Sequence, residues 1–154
     1  MKKSVVFSAL ILLYSLCAFG QEEKISAGIG VEWNMNSRHY YAGGAAFSME
    51  FHIPKYSSVG FTVSGNTNFS GITVIEPTLL LRAYIPGNGY KGFFVQVDLG
   101  THIILENKDV TVLFEQGGRG GYRLLLGDYF YVEAYGRLGY PFVFGIGAMT
   151  GVRF

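Results

Sequence analysis

From Ile25 onward, apolar and polar side chains alternate to the last residue. In Ile25-Ala27-Ile29-Val31-Trp33-Met35 the odd positions are apolar, and Ser26, Gly28, Gly30, Glu32 and Asn34 lie between them. Successive side chains of a strand point to opposite faces, so this segment is a strand with one apolar and one polar face. Seven more such segments follow. They run from about Tyr40 to Ile53, from Val59 to Phe69, from Ile72 to Ile85, around Phe93 to Ile103, from about Val110 to Leu125, around Phe130 to Tyr140, and from Phe142 to Phe154. Turn-forming residues separate them, among them Pro86-Gly87-Asn88-Gly89, Glu106-Asn107-Lys108-Asp109 and Gly127-Asp128. No helical period competes. The pattern predicts an all-β fold, a closed antiparallel up-and-down barrel of eight strands. Pro77 is the one misfit, because a closed barrel has no edge on which to place a missing donor, and a local bulge or frayed start is expected there.

The first twenty residues stand outside this pattern. Lys2 and Lys3 precede an apolar stretch from Val5 to Leu16, and Ala18-Phe19-Gly20 offers small residues where a signal peptidase reads. Such a stretch is short for a membrane helix, which needs roughly 20 residues. The expected organisation is a signal peptide over 1–20 and one barrel domain over 21–154. Leu16 sits where a lipoprotein signal at Cys17 would need a small residue. Cleavage before Gln21 would remove the only cysteine, leaving no disulfide and no thiol chemistry.

Charge decides which face looks inward. Eleven charged residues fall mid-strand, all on the polar face: Glu32, Glu50, Glu76, Arg82, Asp98, Glu115, Arg119, Arg123, Glu133, Arg137 and Arg153. None falls on the apolar face, where a cation would cost about 2–4 kcal/mol at a bilayer midplane. The strand cations are all arginine, whose planar fork can serve two carboxylates inside a packed space. The lysines Lys24, Lys55, Lys91 and Lys108 lie at strand ends or in loops. A soluble, lipocalin-like binding barrel would spread lysine over its outer face. Aromatic residues agree with lipid outside. Trp33, Tyr41, Phe69, Phe114, Tyr140 and Phe142 gather toward one rim, and Phe51, Phe61, Phe93, Phe130 and Phe154 toward the other, as two interfacial belts would. Gly28, Gly30, Gly44, Gly100, Gly117 and Gly121 fall on the polar face, where a narrow lumen is crowded.

The terminal segment Ile146-Gly147-Ala148-Met149-Thr150-Gly151-Val152-Arg153-Phe154, with the alternating Gly/aromatic strands, resembles the bacterial eight-stranded outer-membrane barrels of the OmpA/OmpX-like group. Members of that group end on phenylalanine with hydrophobic residues at alternate positions before it. Phe154, Val152, Ala148 and Ile146 match, and Thr150 departs. The resemblance implies location in the outer membrane, contact with its lipid, and an assembly signal at Phe154 and Val152 read by the barrel-assembly machinery.

Candidate chemistry is sparse. His39, His52 and His102 fall at different depths and do not suggest a metal site, so no metal and no cofactor is expected. Ser37, Arg38 and His39 share a loop with no nearby acid, and no mid-strand serine or histidine faces outward, so no catalytic set is expected. Gly117-Gly118-Arg119-Gly120-Gly121 lacks the Lys-Ser/Thr ending and following helix of a phosphate loop. No basic stripe remains for nucleic acid. The expected function is a non-enzymatic barrel whose polar lumen is filled by paired charges, in a structural or interaction role. The alternatives are a narrow outer-membrane channel and, behind it, a soluble periplasmic lipocalin-like binding barrel.

Overall fold

The computed structural model describes residues 25–36, 41–53, 56–85, 89–106, 109–140 and 142–154. The expected signal peptide, the loop with Ser37, Arg38 and His39, residues Lys24, Lys55 and Lys108, and the ring of Phe142 lie outside the described residues. Eight strands follow in chain order: β1 (Ile25–Asn36), β2 (Tyr41–Ile53), β3 (Ser57–Thr67), β4 (Ile72–Ile85), β5 (Gly92–Glu106), β6 (Asp109–Leu126), β7 (Phe130–Tyr140) and β8 (Phe142–Arg153). Each pairs antiparallel with its chain neighbours, and β8 returns to β1, so the sheet is a closed up-and-down barrel. The seam is hydrogen-bonded to its end. Ile25 N–H donates to Phe154 O at 3.0 Å and Phe154 N–H donates to Ile25 O at 2.9 Å.

The strands form because their two faces have two different environments to occupy. Even-numbered positions of β1 to β5 and odd-numbered positions of β6 to β8 point inward, and most of the buried residues there are polar or charged. The large apolar residues point out: Leu79 is 70% and Ile29 65% exposed. A shell of exposed Leu, Ile, Val and Phe around every strand far exceeds the few hundred Å² of apolar patch that a water-soluble monomer carries. Only a hydrocarbon surrounding removes that penalty. Trp33, Tyr41, Phe69, Phe114 and Tyr140 are exposed toward the end opposite the termini, and Phe93, Phe130 and Phe154 toward the end that carries them. Phe51 and Phe61 of that second belt are only partly exposed. At the first belt, Asn68 Oδ1 accepts from the N–H groups of Ser70 and Ile72, which secures the β3–β4 turn with Phe69 at φ 58°.

The bulge expected at Pro77 does not form. The β4–β5 ladder lacks the rungs at Glu76 and Pro77, yet Ile75↔Ile103 and Thr78↔Gly100 keep one register on either side. On the other edge Val63↔Pro77 remains in step. A one-residue slip would turn every later inward side chain of β4 toward lipid, so two lost rungs are the smaller cost.

Side chains pack near both ends of the lumen among the described residues. At the far end, away from the termini, Ala42 and Val74 are buried with Ile72 and Ile104 against them. At the termini end Tyr90 stacks on His52 with ring centroids 3.9 Å apart, and its hydroxyl donates to Ile53 O at 3.0 Å. Between the mouths, small residues make room for large ones. A methyl group added at Gly147 would lie 2.5 Å from Tyr135 Cζ, whereas one at outward-facing Gly65 would meet nothing within 4 Å. Gly147→Ala is therefore expected to destabilise the folded barrel by about 1–3 kcal/mol through overpacking. Gly65→Ala should be neutral or slightly stabilising, since glycine costs backbone entropy in a strand. Urea unfolding in detergent, followed by tryptophan fluorescence, measures both.

The buried charge network of the lumen

The barrel positions its charges in two layers. Nearer the termini, Glu50 (β2), Arg82 (β4), Arg123 (β6) and Glu133 (β7) make a ring across the lumen. Arg82 Nη1 is 3.0 Å from both Glu50 Oε1 and Glu133 Oε2. Arg123 Nη2 is 2.5 Å from Glu50 Oε1 and 2.7 Å from Glu133 Oε2. Ser58 Oγ and Tyr84 Oη donate to the other oxygen of Glu50, both at 2.9 Å. Each guanidinium also lies over an aromatic face, Arg82 at 3.9 Å from the Phe94 centroid and Arg123 at 3.9 Å from that of Tyr131. Two acids face two bases, and this layer is electrically balanced.

The layer nearer the far end is differently composed. Arg119 Nε donates to Asp98 Oδ2 and its Nη1 to Glu32 Oε1, both at 2.8 Å. Arg137 reaches three carboxylates: Nη1 is 3.1 Å from Glu32 Oε2 and 2.8 Å from Glu76 Oε2, and Nη2 is 2.9 Å from Glu115 Oε1. Tyr135 Oη donates to Glu32 Oε1 at 2.7 Å. Gln96 joins the layers, accepting from Arg82 Nε at 2.7 Å and donating to Asp98 Oδ1 at 2.6 Å. Here four carboxylates, those of Glu32, Glu76, Asp98 and Glu115, share two arginines.

Ten of the eleven charged residues expected in the lumen thus lie in these two layers. Arg153 does not join them. Its side chain is at the termini-end rim, where Nε donates to Asp128 O at 2.7 Å and Nη1 to Gly89 O at 3.1 Å. The cause is its position as the last residue of β8, beyond the depth of any buried acid. Of the six acids and five arginines on the polar face, six carboxylates and four guanidiniums are thus buried among the described residues.

His102 supplies what the sequence left out. It is fully buried in β5, beside Glu76 of β4 and Glu115 of β6. Nδ1 is 3.3 Å from Glu76 Oε1, and Nε2 is 3.6 Å from Glu115 Oε2 and 3.2 Å from Tyr140 O. His52 sits at the opposite end of the lumen, 2.8 Å from Ser26 Oγ. The two described histidines stay apart, as their depths in sequence suggested. A histidine meeting carboxylates of adjacent strands was the signal to look for, and it required the register.

No family model and no curated protein matches this chain in sequence. Solved structures do match in shape. The N-terminal β-barrel domain of Pseudomonas aeruginosa OprF is 11% identical, with a TM-score of 0.62 over 86% of this chain and 100% of that one. Neisserial surface protein A is 10% identical, with a TM-score of 0.59 over 84% of this chain and 94% of that one. A de novo designed transmembrane β-barrel is 10% identical, with a TM-score of 0.54 over 88% and 100%. Identities this low speak for the fold alone, and that fold is the small closed β-barrel these structures share.

Proposed function

We propose that the chain is a non-enzymatic integral outer-membrane barrel with a lumen sealed by its own side chains, serving a structural or interaction role. The observation that carries this reading is the filled cross-section: the Glu50–Arg82–Glu133–Arg123 ring spans the barrel, with Tyr84, Phe94 and Tyr131 packed around it. Eight strands leave an interior only wide enough for side chains. The far-end connections are short, so binding by long surface loops has little chain to work with. The surplus of carboxylates in the far-end layer is the observation that favours the second reading, a narrow cation path. Planar-bilayer recording of the purified barrel decides between them. The sealed reading expects no stable conductance, and a steady cation-selective current that falls on Glu32→Gln would replace it with the channel.

If the ring is what holds the lumen shut, removing one arginine leaves two buried acids underpaired. Arg123→Ala should then cost about 3–5 kcal/mol of stability. Lys91→Ala, at an exposed site, should change it by no more than about 0.5 kcal/mol. The temperature at which the compact form is lost on electrophoresis in detergent gives the comparison. Equal midpoints for the two variants would mean the ring is not a sealing element.

The same reading assigns Phe154 and Val152 to recognition by the barrel-assembly machinery during export. The Phe154 ring is 58% exposed, and the seam bonds with Ile25 come from its backbone, so packing loses little on Phe154→Ala. The variant is expected to reach the outer membrane poorly in cells yet fold at close to the normal yield from urea into detergent micelles. Normal membrane levels in cells would count against both the signal and the location.

A further inference from the structure

Glu76 and Glu115, which share the one guanidinium of Arg137, also share one place with His102. The termini-end layer is neutral, so the two excess negative charges of the lumen both belong to the far-end layer. Uncompensated buried charge is costly, on a scale that ordinary folding stability does not absorb. Within that layer Glu115 is the acid left short. Its side chain is 1% exposed, and its Oε2 accepts no hydrogen bond among the described residues. That oxygen faces His102 Nε2.

Glu76, His102 and Glu115 each present a ligand atom, all within 4.8 Å of one another. Donor atoms around a shared ion, each about 2.0–2.2 Å from it, stand roughly 3–4 Å apart in a tetrahedral set. A histidine gives one ring nitrogen to an ion, so either the 3.3 Å separation (Nδ1 to Glu76 Oε1) or the 3.6 Å separation (Nε2 to Glu115 Oε2) applies to a given ion, each in that range, and the remaining donor lies within 4.8 Å. The supports behind the donors are also in place. Arg137 holds the far oxygen of each glutamate, Glu76 Oε2 at 2.8 Å and Glu115 Oε1 at 2.9 Å, and Ser64 Oγ donates to Glu76 Oε2 at 3.0 Å. Outer bonds of this kind fix ligating carboxylates in orientation. We infer that Glu76, His102 and Glu115 form a buried site for one divalent transition-metal ion, of the Zn²⁺ class that accepts mixed imidazole and carboxylate ligands. One such ion carries the two positive charges the layer lacks. An imidazolium at His102 would supply only one.

Because the site is enclosed, metal enters while the barrel forms. The chain purified from membranes is unfolded in urea with a chelator, then refolded in detergent with Zn²⁺ or with the chelator retained. After gel filtration, elemental analysis is expected to find about one zinc per folded chain. Co²⁺ in place of Zn²⁺ should give the absorption bands of a four- or five-coordinate ion. Glu115→Gln and His102→Gln, checked for folding by their heat-dependent mobility, should each lower zinc content at least tenfold. Should either variant fail to fold, the wild-type chain still answers: its unfolding midpoint rises with Zn²⁺ over the chelated sample if the site exists. No retained zinc and no rise overturn the inference, as does zinc retained equally by the folded variants. So does a nitrogen NMR spectrum of the Zn²⁺-refolded chain in which both His102 nitrogens carry protons. None of these outcomes depends on whether the barrel conducts.

Discussion

A strand in hydrocarbon has no water to which its amides can turn, and each unmatched donor or acceptor there costs several kcal/mol. Closure of the sheet follows from that constraint, and most of this molecule follows from closure. Ile25 and Phe154 exchange both backbone bonds at the seam, and among the described residues the ladders are interrupted at the two rungs beside Pro77 and at a register shift between Met35 and Asn36 on the β1–β8 seam. Closing with only eight strands makes the lumen narrow. A narrow lumen leaves no room for bulk water, and side chains must complete it. Polar residues face inward because the outward positions belong to lipid, and once inward they can be solvated only by one another.

Mutual solvation explains the choice of residue types. Arginine can address two or three acids from one planar group, and Arg137 does so with Glu32, Glu76 and Glu115. Tyrosine adds a donor at the end of an apolar ring, as Tyr84 and Tyr135 do for Glu50 and Glu32. Glycine on the facing strand makes the space those rings occupy, as Gly147 does for Tyr135. The two layers therefore form a single connected interior, bridged by Gln96.

The architecture was readable from the sequence because a barrel obeys a period of two throughout, and an inside–outside error at one residue would be an error at all of them. The charged residues could be assigned to the lumen for the same reason. What parity alone does not carry is depth. Arg153 has the parity of a lumen residue, but a strand's last residue ends at the rim, and parity does not say how far up a side chain sits. His102 lies far in depth from His52, the other described histidine, and its partners are acids. Its neighbours, Glu76 and Glu115, are 26 and 13 residues away in sequence and meet it only once β4, β5 and β6 are in register. Pro77 lacks a donor, but the register that both flanking strands impose holds it in line.

The pairs that close the lumen have a consequence for the order of events in folding. Glu32 of the first strand reaches Arg119, Tyr135 and Arg137, which are 87, 103 and 105 residues further along the chain. No hairpin or four-strand half-barrel contains both Glu32 and these partners, so such an intermediate would carry that carboxylate bare. Such an intermediate is tolerable at a wet membrane surface and intolerable within the bilayer. Contacts this distant in sequence are also slow to form, because a long loop must close before any of them is gained. Crossing the membrane and joining the first strand to the last thus become one late, cooperative event, and the charge of the interior acts as a gate against inserting a barrel that is not yet whole.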